Sequence, residues 1–142
     1  MPNITGVSGS YKGLLGEVLF VSQYPKFLIT SFHPRWKYLP RMMVDPAKKE
    51  FLHKYWQTID AVMYDGHTLV EIKTRNKEYA HYPPPKTSVH TVSVMQEAQK
   101  LGFDIQLATV WIGRDGNFEI EMSRFESAKI WVDSIKRYDK GL

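Results

Sequence analysis

The chain of 142 residues is 43% hydrophobic and 24% charged, with eight Tyr, seven Phe and four Trp, which excludes disorder and collagen-like repeats and suits a single domain over residues 1–142. It contains no cysteine, so thiolate zinc sites, iron–sulfur clusters, cysteine nucleophiles and disulfides are out of reach, and an intracellular, cytoplasmic setting is expected. Nineteen Lys and Arg against fifteen Asp and Glu give a net charge of +4, which favours an anionic partner, while no apolar run approaches the ~20 residues of a membrane helix and Met1 to Thr5 lack the regions of a signal peptide.

In chain order, Ser10 can cap a helix from about Tyr11 to Gln23, where Leu14, Leu15, Val18, Leu19 and Val21 supply an apolar stripe and Pro25 stops the run. Lys26 to Ser31 reads as a short strand. His33 to Pro46 is irregular, and Ala47 to Tyr55 reads as a short helical turn. Thr58 to Tyr64 and His67 to Thr74 are β-rich runs around Asp65-Gly66, a pair that signals a two-residue hairpin because both types tolerate positive φ. Pro83-Pro84-Pro85 interrupts regular structure until about Ser88. A helix from Val89 to Leu101 is expected to end at Gly102. Strands at Ile105–Ile112 and Asn117–Met122 and a final helix from Ser123 to Tyr138 complete a mixed α/β arrangement of a sheet with helices packed on it.

The hairpin concentrates charge. A two-residue turn places Ala61 opposite Val70 and Asp60 opposite Glu71. Side chains alternate with period two, so Lys73 shares the face of Glu71, while Ile59, Ala61, Val70 and Ile72 point the other way, toward the expected core. Carboxylates directly opposite one another, with Cβ atoms roughly 4.5–5.5 Å apart, repel unless a positive charge lies between them. Oxygen ligands without sulfur select Mg²⁺ or Mn²⁺, and an adjacent lysine can orient an attacking water and offset charge on a phosphoryl group.

Asp60, ten intervening residues and Glu71-Ile72-Lys73 resemble the signature of the PD-(D/E)XK nuclease superfamily, in which two acids and a lysine lie on a β-hairpin. The resemblance covers about Ser10 to Ile112, and Glu17, in Gly13-Leu14-Leu15-Gly16-Glu17, stands where such enzymes carry an acid on the first helix. Ile59 takes the place of the signature proline, and the stretch from Glu17 to Asp60 is longer than in the smallest members. The resemblance implies a restriction-endonuclease-like mixed sheet with an αβββαβ core, extended here by a C-terminal helix. It implies Asp60, Glu71, the Ile72 carbonyl and Glu17 as metal ligands, and Lys73 as the catalytic lysine. The activity it implies is metal-dependent DNA cleavage, of the Holliday junction resolvase kind first and the restriction or homing kind second, by a homodimer or a higher two-fold symmetric oligomer. A noncatalytic nucleic-acid-binding module that kept the fold is the alternative from another class.

Basic residues then outline a path for DNA. Arg35 and Lys37 interleave with Trp36 and Tyr38, while Arg75 and Lys77 lead out of the hairpin, where each phosphate contact would weaken with salt. Lys12 lies in the Gly/Ser-rich start, which lacks the ending of a phosphate loop. Gln96 and Lys100 lie on the helix after the motif, where such nucleases carry accessory polar residues near the scissile phosphate.

Overall fold

A computed structural model describes residues 9–32, 45–79 and 89–124. Helix α1 (Gly9–Gln23) is followed by strand β1 (Phe27–Ile29), helix α2 (Pro46–Tyr55), strands β2 (Ala61–Met63) and β3 (Thr68–Asn76), a 3-10 turn at Lys77–Tyr79, helix α3 (Val89–Lys100) and strands β4 (Asp104–Ile112) and β5 (Phe118–Arg124). The strands form one sheet in the order β1-β2-β3-β4-β5. Neighbours are antiparallel except β3 and β4, which run parallel with α3 as their crossover. The fold is therefore mixed α/β, as expected. An α-β-β-β-α-β succession is present, with α2 interposed between its first two strands.

Both faces of the sheet are covered, which explains why β3 and β4 read as apolar runs and not as alternating ones. On one face α1 sets Phe20 against Phe27, Ile29, Ala61, Val70, Ile72, Ala108 and Val110. The Phe20 ring lies 5.1 Å from that of Tyr24 and 5.3 Å from that of Phe27. On the other face α2 and α3 bring Phe51, Leu52, Val92, Met95 and Ala98 over Val62, Leu69 and Ile105. Among the described residues no helix is long and apolar enough to cross a membrane.

Several elements differ from the sequence reading. Helix α1 starts at Gly9, so Ser10 lies inside its first turn and does not cap it. The expected turn at Ala47 is a ten-residue helix, opened by Pro46 and by Asp45, whose carboxylate accepts the Ala47 N–H at 2.9 Å. The first hairpin strand is only three residues long. The hairpin turn closes through the Gly66 N–H to the Met63 carbonyl at 2.8 Å, and Gly66 alone takes positive φ, at 76°. Asp65 instead accepts the His67 N–H at 2.8 Å, an Asx turn in place of the two positive-φ residues expected. The predicted register nevertheless holds, with Ala61 opposite Val70 and Val62 opposite Leu69. Ile59 packs with Val62 and Leu69, on the opposite side from Ala61, Val70 and Ile72, because it precedes β2 and the period of two does not extend to it. Ser123 and Arg124 belong to β5, so no helix starts at Ser123. Its remaining span to Tyr138, the C-terminal helix, lies outside the described residues, as do the triple proline and the stretch holding Arg35 and Lys37.

Candidate active site

The site arises where β2 stops. The last residue pair of the β2–β3 ladder is Ala61 with Val70, and β3 runs on to Asn76. At that break the side chain of Asp60 takes over from backbone pairing, and its Oδ2 accepts the Ile72 N–H at 2.8 Å. The Asp60 backbone is fixed from β1, because the Thr30 N–H donates to the Asp60 carbonyl at 3.0 Å. The Thr30 hydroxyl donates to the carbonyls of Ile59 and Asp60.

Glu71 is buried, with 8% of its surface exposed, which removes it from the class of solvated strand charges. Its Oε1 lies 3.0 Å from Lys73 Nζ, two residues along the same face. Its Oε2 is buried and has no hydrogen-bond partner among the described residues. Burial raises the Asp60 carboxyl well above the usual carboxylate range. The Glu71 charge and a hydrogen bond to Glu71 raise it further, and the Ile72 N–H and Lys73 only partly oppose this. The two acids are thus close enough to share a proton, and the Glu71 Oε2 oxygen is left without a partner among the described residues.

Glu17 reaches the same region from α1. It accepts a hydrogen bond from the Ser31 hydroxyl at 2.7 Å, and burial raises its carboxyl, with the Asp60 charge adding to the rise against the Ser31 bond. What allows this approach is Gly16. A Cβ there would lie 1.8 Å from Thr74 Oγ1 and 3.0 Å from Thr74 Cβ, so only glycine lets α1 sit this close to β3.

Among the described residues no group of three or more His, Cys, Asp or Glu side chains gathers as a ready-made metal cage. The donor set is the Asp60–Glu71 pair, with Glu17 an electrostatic neighbour. That set suits Mg²⁺ or Mn²⁺, which bind through one or two carboxylates and keep waters or substrate oxygens as their other ligands. The orphaned Glu71 Oε2 fits an ion in particular, since a buried carboxylate oxygen without a donor otherwise costs free energy.

The other predicted residues are distributed unevenly. Arg75 lies on the face of Glu71 and Lys73, with no acidic partner among the described residues. Lys77 is paired with Glu119 at 3.0 Å. Gln96 is half-buried and Lys100 exposed on α3, and neither bonds to the acids or to Lys73. Lys12 falls in α1, but its side chain, like Arg35 and Lys37, lies outside the described residues.

Thr30, Ser31 and Thr74 escaped the sequence reading. Only Gly16, quoted with the motif around Glu17, carried a signal for one of these contacts. The chain matches no protein-family model, no curated protein and no solved structure.

Proposed function

We propose that this protein is a metal-dependent DNA endonuclease of the PD-(D/E)XK type that hydrolyses phosphodiesters, with a preference for branched structures such as four-way junctions. The supporting observation is the buried Glu71, ion-paired to Lys73 on one oxygen, orphaned on the other, and adjacent to an Asp60 that burial and Glu71 hold toward its protonated form. A structural scaffold gains nothing from such a pair, since two neighbouring carboxylates, one buried and one half-buried, oppose folding.

Asp60, Glu71 and the Ile72 carbonyl are the groups that would hold Mg²⁺ or Mn²⁺, and such an ion, when bound, supplies Lewis-acid polarisation of water and of a phosphoryl oxygen. The protein supplies the rest. Asp60 must release its proton before it can hold a cation, and its bond from the Ile72 N–H keeps the carboxylate oriented while it does so. Glu71 fixes the Lys73 ammonium, which donates to the attacking water or to a phosphoryl oxygen as negative charge develops there. Glu17, oriented by Ser31, would accept a hydrogen bond from water on the α1 side. Cutting both strands requires two copies of this site, hence a two-fold symmetric dimer.

The test is incubation with Mg²⁺ or Mn²⁺ and a panel of four-way junction, linear duplex, flap and single-stranded DNA. Wild-type protein is expected to cleave, with Asp60→Asn, Glu71→Gln and Lys73→Ala each slower by roughly 10²-fold or more. No cleavage of any substrate, with DNA binding intact, overturns the reading in favour of a noncatalytic binding module.

A further inference from the structure

The face of the sheet that carries Glu71 and Lys73 continues beyond them. Residues at i, i+2 and i+4 of a strand share a face, so Arg75 is next in line on β3, roughly 7 Å from Lys73 along the strand. Its register partner on β4 is Trp111, just as Lys73 is paired with Thr109 and Glu71 with Leu107. On β5 the partners of Thr109 and Trp111 are Glu121 and Glu119. Helices α2 and α3 pack on this face at its other end, over Leu69 and Ile105, and it stays buried through Glu71, Leu107 and Thr109. Past these, the row of polar and aromatic side chains becomes half-buried at Arg75 and Trp111 and belongs to neither apolar cluster.

Two properties set Arg75 and Trp111 apart within this row. The first is charge pairing. Lys73 is taken by Glu71, Lys77 by Glu119 and Arg114 by Glu78, whereas Arg75 has no acidic partner among the described residues. The second is a fixed aromatic orientation. The Trp111 indole N–H donates to Glu121 Oε2 at 3.1 Å, the residue is half-buried, and no other aromatic ring packs against it among the described residues. An indole held by its N–H at the sheet surface, beside an unpaired guanidinium, has the chemistry of a stacking platform with a phosphate anchor.

We infer that Arg75 and Trp111 form a binding site for an unpaired nucleotide adjoining the cleavage site, with the base on the Trp111 ring and its phosphate on Arg75. This deepens the nuclease reading and rests on it for the position of the cut. The substrate class is DNA with a single-stranded or splayed segment next to the scissile bond, because a base inside a duplex has no free face to stack. Lys73 and Arg75 then hold successive positions along one strand, the first at the reacting phosphate and the second one step beyond it.

The experiment is fluorescence anisotropy in EDTA with fluorescein-labelled oligo(dT) and a duplex of equal length, so that no cleavage is involved. Trp111→Leu keeps apolar volume and loses the π face, and it is expected to weaken single-strand binding by roughly 5- to 100-fold and duplex binding less than 2-fold. Trp111→Phe, which retains a ring, should recover most of the loss. Arg75→Ala should weaken both and lower the salt slope by about one phosphate contact. Equal loss on both DNAs, or none on the single strand with Trp111→Leu folded by its urea midpoint, overturns the inference. Should Trp111→Leu fail to fold, Phe and Tyr at this position decide, since a platform predicts near wild-type single-strand binding for both. Failure of the nuclease reading shows separately, as intact single-strand selectivity without cleavage of any substrate.

Discussion

Replacing Asp60 by asparagine should stabilise the protein while abolishing the proposed DNA cleavage. The side chain is nearly isosteric, so its oxygen can still accept the Ile72 N–H now bonded at 2.8 Å to Oδ2. Its new NH₂ can donate to Glu71, whose Oε2 is buried without a partner. The substitution therefore satisfies an orphaned acceptor, worth about 1–3 kcal/mol, and removes one of two neighbouring negative charges. We expect a gain of about 1–3 kcal/mol at pH 8, equivalent for a chain of this size to roughly 3–10 °C in Tm.

The pH dependence identifies the cause. Burial and Glu71 raise the native Asp60 carboxyl well above its ordinary value of 3.8, so across the interval between them the folded protein holds a proton that the unfolded chain has lost. Unfolding there releases a proton, and the Asp60 contribution to wild-type stability falls as pH rises through the native value. The asparagine variant has no such loss. Its advantage should therefore be small near pH 4 and grow toward pH 8. Urea denaturation of both proteins at a series of pH values measures this difference directly. A variant that is destabilised at pH 8, or whose advantage is the same at every pH, refutes the account of the site as a strained carboxylate pair.

The remaining predictions concern the neighbours of that pair. Millimolar Mg²⁺ should raise the wild-type urea midpoint, by about 1.4 kcal/mol at ten times its Kd, and leave that of Asp60→Asn unchanged; equal shifts in both would place the ion elsewhere. Lys73→Met leaves Glu71 buried without its cation and should cost about 1–3 kcal/mol, less than a fully buried pair because the Lys73 side chain is 24% exposed; urea midpoints check this, and a neutral result would mean that the ion pair carries no weight. Glu17→Gln can keep the Ser31 bond and removes a carboxyl raised from 4.5 by burial and Asp60, so its stability relative to wild type should increase as pH rises above that value. Gly16→Ala gains about 1 kcal/mol in helix propensity but sets a Cβ against Thr74, at a typical cost of 1–3 kcal/mol. We expect a small net loss of stability, reduced by Thr74→Ala, and, under the proposed function, slower cleavage because Glu17 moves with its helix.

How far the site could be read from the sequence follows the range of the contacts involved. Asp60, Glu71 and Lys73 were legible because an Asp-Gly turn and two short apolar runs determine a register, and register alone decides which side chains share a face. The register survived even though the turn is built differently, since the count of residues between the pairs is what fixes it. Helix α2 was underread because its Lys48-Lys49-Glu50 segment obscures an apolar side that only the tertiary packing of Phe51 and Leu52 makes evident. Thr30, Ser31 and Thr74 act on residues far along the chain, and no local pattern encodes such distances.

The position of the acids also follows from the length of β2. A longer β2 would pair backbone to backbone past Ala61, and the Ile72 N–H would have a carbonyl acceptor in place of a carboxylate. Because the ladder stops there, a side chain must satisfy that donor, and Asp60 does so while Thr30 holds its main chain. The break thus calls for a side-chain acceptor beside β3, which Asp60 supplies, and the period of two along β3 delivers Glu71 and Lys73 beside it. Once those charges are in place, a proton held between the acids or a cation held beside them relieves the repulsion that the Lys73 ion pair leaves. The first is progressively lost as pH rises through the raised Asp60 value, which leaves the second as the condition under which the proposed nuclease would work.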